Sequence, residues 1–130
     1  FMTKQQNACN KFTSKTNHRK SRMLLKNPQK RGIVQKVRIQ TPRKPNSARR
    51  QVVKLLLSTK RYTVSYIPGS GHTLKKHSTV IIRGGGARDL PGVYSTCIRG
   101  LKDLKGLMQK KRRRSIYGVS KKLQKSLGLV

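Results

Sequence analysis

The chain has 130 residues, and 33 Lys and Arg face only two acids, Asp89 and Asp103, giving a formal net charge of +31. A compact body of that charge density repels itself, so the working state includes a polyanion, and nucleic acid leads because clustered cations release counterions on meeting phosphates. A membrane role is disfavoured: the chain has no Trp and two Phe for an interfacial face, and Lys54 breaks its longest apolar run, residues 52–57, far short of the ~18 residues that span a bilayer.

Hydrophobic residues make up 33% of the chain, below the roughly 45–50% of ordinary globular proteins, so one small domain with a modest core is expected. Residues 1–27 hold Lys, Asn, Gln, Ser and Thr with no acid, a composition that does not fold alone and reads as a basic arm. An uncleaved targeting peptide shares that lack of acid, but Lys and Asn outnumber Arg here and no clear amphipathic stripe is present.

From Gly32 onward, short β-like runs alternate with Gly, Pro, Asn and Ser. Five strands are predicted, over residues 33–39 (IVQKVRI), 51–57 (QVVKLLL), 62–67 (YTVSYI), 78–83 (STVIIR) and 93–99 (VYSTCIR). In the third, Tyr62, Val64 and Tyr66 share a face, which core packing explains as well as base stacking does. Five short strands at this spacing suit an all-β, OB-type barrel, a small fold stabilised by its partner.

Two loops are built to touch something. Residues 41–50 combine two prolines, which restrict the backbone, with Asn46 and Ser47, which offer short-range donors and acceptors, and with Arg43, Lys44, Arg49 and Arg50 on either side. A rigid basic surface turn would read the same way. Residues 83–93 carry three glycines, Arg83, Arg88 and the turn signal Pro91-Gly92. No Gly-Lys-Ser/Thr closes this second loop, so it is not a Walker phosphate loop. Asp89 is expected to pair with neighbouring Arg88 or to fix the loop backbone.

Beyond Gly100, Leu101, Leu104, Leu107 and Met108 recur at helical spacing, and Gly106 limits them to a short helix. The run Lys110, Lys111, Arg112, Arg113 and Arg114 follows. Leu123 and Leu127, spaced i,i+4, close a basic, partly helical tail. Composition thus divides the chain into an arm, residues 1–27, a barrel with its loops, residues 28–105, and a tail, residues 106–130.

Catalysis finds little support. Asp89 and Asp103 are the only carboxylate side chains, and His18, His72 and His77 have no evident acid to orient them. His72 and His77 read as loop hydrogen-bonders. Cys9 and Cys97 have no neighbour at zinc-ligand spacing and follow no secretory segment, which argues against both a metal site and a disulfide framework. No catalytic residue, cofactor or metal is expected.

Several motifs occur together in one order: Pro28-Gln29-Lys30-Arg31-Gly32; Thr41-Pro42-Arg43-Lys44-Pro45-Asn46-Ser47-Ala48; Gly71-His72 with His77-Ser78; Ile82-Arg83-Gly84-Gly85; Asp89-Leu90-Pro91-Gly92-Val93; and Arg114-Ser115 with Tyr117-Gly118-Val119. In order and spacing, without a gap from Pro28 to Val119, the chain resembles the S-twelve family of small-subunit ribosomal proteins. The resemblance implies an OB-type barrel with an N-terminal extension threaded through ribosomal RNA at the decoding centre. Pro45, Asn46 and Ser47 would then monitor codon–anticodon pairing by shape, through ribosomal bases and 2′-hydroxyls. Asp89, Leu90, Pro91 and Gly92 would form a second loop close by, whose aspartate can carry a β-methylthio group in bacteria. Lys30, Arg31, Arg43, Lys44, Arg49, Arg50, Arg83, Arg88 and the run from Lys110 to Arg114 would bind RNA, Arg in a planar fork and Lys as a point charge.

The partners so implied are small-subunit ribosomal RNA, messenger RNA, aminoacyl-site tRNA, neighbouring ribosomal proteins and, transiently, elongation factors. Arg43 and Arg88 stand where bacterial members commonly have Lys, so streptomycin sensitivity does not carry over. The arm before Pro28 and the tail after Val119 also depart from the bacterial pattern. These departures favour a mitochondrial ribosome over a plastid or bacterial one. The rival reading is a free-standing protein that coats single-stranded nucleic acid. Such a protein would show an aromatic stacking platform, for which only Tyr62, Tyr66, Tyr94 and Tyr117 are available outside the arm. With about a third of the cations on phosphates, the affinity for RNA should fall on a log–log salt plot with a slope of about −7 to −9. Filter binding across a salt series measures it, and a slope near zero would remove the electrostatic reading.

Overall fold

The structure is a computed structural model that describes residues 23–129; the arm up to residue 22, with Cys9 and His18, lies outside the described residues. Five strands, β1 (Gln29–Gln40), β2 (Arg50–Leu57), β3 (Tyr62–Tyr66), β4 (Thr79–Gly84) and β5 (Ser95–Cys97), are followed by one short helix, α1 (Lys121–Ser126). The strands close into a barrel in the order β1-β2-β3-β5-β4, with β3 and β5 parallel and every other pair antiparallel. This is the expected all-β, OB-type architecture.

β1 makes the closure possible. At 12 residues it is longer than its apolar run, because its first part (Gln29 to Ile33) pairs with β4 and the stretch from Gly32 to Gln40 pairs with β2. The pairings overlap at Gly32 and Ile33, and a register shift between Val34 and Lys36 bends the strand. A bulge of this kind is how a strand changes direction to serve two partners. Gly32 is suited to the crowding there: a Cβ would lie 3.2 Å from Leu57 Cδ2. β5 shows the opposite change and keeps only three ladder residues, all buried.

The barrel interior holds Val34, Val53, Leu55, Leu57, Val80, Ile82 and Cys97, joined by Leu24, Ile67, Leu74 and Leu104. Burial pushes the pKa of the Cys97 thiol up to about 12, against the weaker pull of Arg99. The thiol is free, buried and protonated. β3 decides which way its tyrosines turn, a choice that alternation left open. In the β2–β3 register Val53 faces Ser65 and Leu55 faces Thr63, so the small polar residues turn inward, where Ser65 and Ser95 hydrogen-bond through their hydroxyls. Tyr62, Val64 and Tyr66 face outward, and Tyr62 is 62% exposed.

The segment expected to form a short helix, residues 101–108, is a series of turns with a bridge between Leu101 and Leu104. Leu104 is fully buried at the end of the barrel, whereas Leu101 is exposed. Helix is replaced by a close backbone crossing: a Cβ on Gly106 would stand 2.3 Å from the Gly118 carbonyl oxygen. α1 confirms helix near Leu123 and Leu127, yet both leucines are exposed and Gln124 is the buried residue. Its side-chain amide donates to the Met108 and Lys110 carbonyls at 3.0 and 2.8 Å, which docks the tail by hydrogen bonds instead of apolar contact.

Arg99 is the second internal tie. It is 4% exposed, and its guanidinium donates to the carbonyls of Pro68, Lys105 and Gly71, joining the loop after β3 to the start of the tail. Burial lowers its pKa from the usual guanidinium value, but the three carbonyl partners satisfy the charge in place of an acid. Arg99→Leu would leave those carbonyls without donors and should cost about 2–3 kcal/mol of stability. Denaturant unfolding followed by circular dichroism checks this, and an unchanged midpoint would contradict it.

Candidate nucleic-acid interface

The two loops singled out by sequence meet on the outside of the barrel. The first leaves β1 at Gln40 and returns at Arg50, directly across the β1–β2 ladder. Its tip is a turn closed by the Asn46 amide donating to the Arg43 carbonyl at 3.0 Å, with a cis Lys44–Pro45 peptide inside it. Proline in cis at the third position suits a tight turn of this type. Pro42 is buried at the root, while Pro45, Asn46 and Ser47 are exposed at the tip.

The second loop is seated by a small apolar cluster on the outer face of the barrel. Leu90 and Val93 are buried there against Val52, and Val64, Tyr66 and Ala87 pack around them. This cluster covers the outer face of β3 at Val64 and Tyr66, while Tyr62 at the start of the strand stays exposed. The chain runs so close at Gly86 that a Cβ would meet the Val93 carbonyl at 2.0 Å, so glycine is required for the loop to fold back.

Three contacts then bind one loop to the other. The Arg43 amide donates to the Asp89 carbonyl at 2.8 Å, Gln40 Nε2 donates to the Pro91 carbonyl at 2.7 Å, and Arg50 pairs with the Asp89 carboxylate at 3.1 Å. Asp89 therefore pairs across the barrel surface with Arg50, not with Arg88 beside it; loop closure, which sequence proximity does not show, decides the partner. Arg50 also lies over the Tyr66 ring at 5.8 Å. Tyr66 first and Asp89 after it hold the Arg50 pKa above the usual guanidinium value, outweighing partial desolvation.

The cations expected to bind RNA are distributed around this platform. Arg31, Arg43, Lys44, Arg49, Arg83, Arg88, Lys110, Lys111, Arg112 and Arg113 are exposed, and Lys30, Arg50 and Arg114 are half-buried. Arg50 is brought into the junction of the loops, while Lys30 and Arg31 lie at the β1 end that pairs with β4. Both side-chain carboxylates serve the protein itself, because Asp103 accepts from the Thr79 amide at 2.6 Å. His72 accepts the Leu74 amide at 3.2 Å through Nδ1, and burial followed by the charge of Arg99 lowers its pKa, which suits a neutral acceptor. His77 contributes its backbone amide to Val34. Among the described residues, no group of three or more His, Cys, Asp or Glu gathers where a metal ion could be held.

Sequence reading missed Gln40, Val52 and Tyr66 as parts of the interface. Gln40 carries no local signal, and Val52 and Tyr66 were explicable as ordinary barrel residues.

A strongly basic OB-type barrel with a stiffened pair of surface loops defines an RNA-binding protein class. Residues 17–125 match the family model described as ribosomal protein S12/S23. Among curated relatives, the small ribosomal subunit protein uS12m of Paramecium tetraurelia is 54% identical over 114 residues, covering 86% of this chain and 82% of that protein. The chain belongs to the ribosomal protein S12/S23 family.

The seating of the second loop should govern the first. Leu90→Ala removes the apolar anchor at a cost of about 2–3 kcal/mol. It should speed hydrogen exchange at the Arg43 amide by tenfold or more while amides of the β1–β2 ladder hold. Exchange measured by NMR decides this; equal change in loop and ladder would show that the loops are not a separate unit.

Proposed function

We propose that this protein works at the decoding centre of the mitochondrial small ribosomal subunit, where its paired loops support the monitoring of codon–anticodon geometry. Membership of the S12/S23 family makes it a structural constituent of the small subunit, and its likeness to the Paramecium mitochondrial protein supports the mitochondrial ribosome. Ribosomal RNA and neighbouring ribosomal proteins are its stable partners. Messenger RNA and aminoacyl-site tRNA meet the tip during decoding, and elongation factors pass transiently. The arm, residues 1–27, threads RNA; residues 28–105 carry the barrel and loops; residues 106–130 extend the basic contact.

The observation that carries this reading is the loop junction. Pro45, Asn46 and Ser47 are exposed on a turn whose root is tied to the second loop through Arg43, Asp89, Gln40 and Pro91. A tip held in this way presents Asn46 and Ser47 side chains at a fixed height above the barrel. Small polar groups so positioned can complete hydrogen bonds to bases and 2′-hydroxyls where the pairing geometry is correct and fail to do so where it is not. Cations on both sides of the tip hold phosphates and set the register, while the tip reads shape.

Asn46→Ala or Ser47→Ala should leave the protein sedimenting with small subunits through a moderate-salt sucrose gradient and should change near-cognate misreading in a mitochondrial translation reporter. Unchanged accuracy would remove the tip from decoding. A chain spread across many RNAs, and not travelling with small subunits, would favour a free-standing nucleic-acid coat.

A further inference from the structure

We propose that a cleft beside β4, apart from the loop tip, receives a single unpaired nucleotide of RNA; the inference rests on the ribosomal reading given above. The cleft has a volume of about 490 Å³, and its walls include Arg50, Arg83, Arg113, Tyr66, Tyr117 and Gly86. Ligand sites of roughly 300–1,000 Å³ hold one small molecule, which admits one nucleotide and excludes a duplex.

Charge selects the ligand. The cations of the cleft wall are all arginines, whose planar forks suit phosphate oxygens better than a point charge does. The chain has two acidic side chains; Asp89 is committed to Arg50 and Asp103 to the Thr79 amide. No carboxylate side chain remains for Arg83 or Arg113, so their counter-charge comes from a partner. The basic arm, which has no acid, cannot supply it.

Aromatic rings select the base. Tyr117 and Tyr66 both line the cleft, and each already has a cation over its ring, Lys110 at 5.5 Å and Arg50 at 5.8 Å. Tyr117 is positioned before any ligand arrives: its carbonyl accepts the Leu107 amide at 3.0 Å, and the adjoining Gly118 packs on the Arg99 and Gly100 backbone. A splayed base stacks on such a ring without regard to sequence, and a paired base does not. At Gly85 the wall carries no side chain, and the nearest atom a Cβ would meet is Arg83 Nη1 at 3.8 Å, which leaves backbone open to close approach by ribose or phosphate.

The cleft suits a residue within a polymer better than a free mononucleotide. A second depression of about 300 Å³ shares Arg50, Tyr66 and Gly69 with it and adds Arg49. Flanking phosphates thus have a cationic path away from the held nucleotide.

Zero-length ultraviolet crosslinking of small subunits containing the full chain, read by peptide mass spectrometry and nucleotide mapping, tests the assignment. The expected result is a one-nucleotide adduct on Tyr117 or Tyr66 that maps to an unpaired ribosomal RNA position. Tyr117→Leu keeps the apolar bulk but removes the ring, and should lower the adduct yield at Tyr66 by about 5-fold or more. Tyr117→Phe should retain that yield, and the exposed-site variant Arg113→Gln should reduce it without unfolding the barrel. Absence of an adduct on both tyrosines, or an adduct mapping to a base-paired helix, overturns the cleft assignment. Sedimentation is scored in the same samples: failure to travel with small subunits counts against the ribosomal reading, whereas travel without an adduct counts against the cleft alone.

Discussion

The fold depends on β1 pairing along both of its edges. A five-stranded sheet of such short strands has little apolar surface to bury unless it curls shut, and β1 joins β4 to β2 by changing partners near Gly32. Closure brings Val34, Val53, Leu55, Val80 and Ile82 into one interior. It also places Gln40 and Arg50 opposite each other at the mouth from which the first loop springs. The interior and the loop geometry therefore follow from one strand arrangement.

A small barrel of this kind has no apolar reserve with which to fix its loops, and polar contacts do much of that work. Arg99 gathers three backbone carbonyls, Gln124 gathers two, and Arg50 reaches Asp89. In each case one multivalent donor replaces several packed side chains. The second loop is the exception, since Leu90 and Val93 give it a core of its own against Val52. That satellite cluster explains how a glycine-rich loop holds a definite position from which to brace its neighbour.

With both carboxylate side chains engaged inside the protein, the loop cations Arg43, Lys44, Arg49, Arg83 and Arg88 face outward. Self-repulsion of that surface is relieved when phosphates approach, so assembly into an RNA particle and stability of the barrel are linked. The family assignment fits this linkage: a ribosomal protein is lodged in folded RNA and gains from it what a core of this size cannot provide.

The sequence by itself determined the polyanion partner, the five strands in order, the two exposed loops and the S12/S23 kinship, because charge, alternation, Pro-Gly punctuation and motif spacing are local properties of the chain. Tertiary structure alone decided that Arg50 rather than Arg88 holds Asp89, that Tyr62 and Tyr66 face outward, and that Leu104 enters the barrel while Leu123 and Leu127 stay exposed. Alternation shows which residues share a face, but the inner face is chosen by strand pairing and by what covers the sheet. From Thr63 to Tyr66 both faces of β3 are covered, so period alone was silent. Leucine spacing near Gly106 was silent for a related reason: the backbone crossing with Gly118, distant in sequence, excludes helix there.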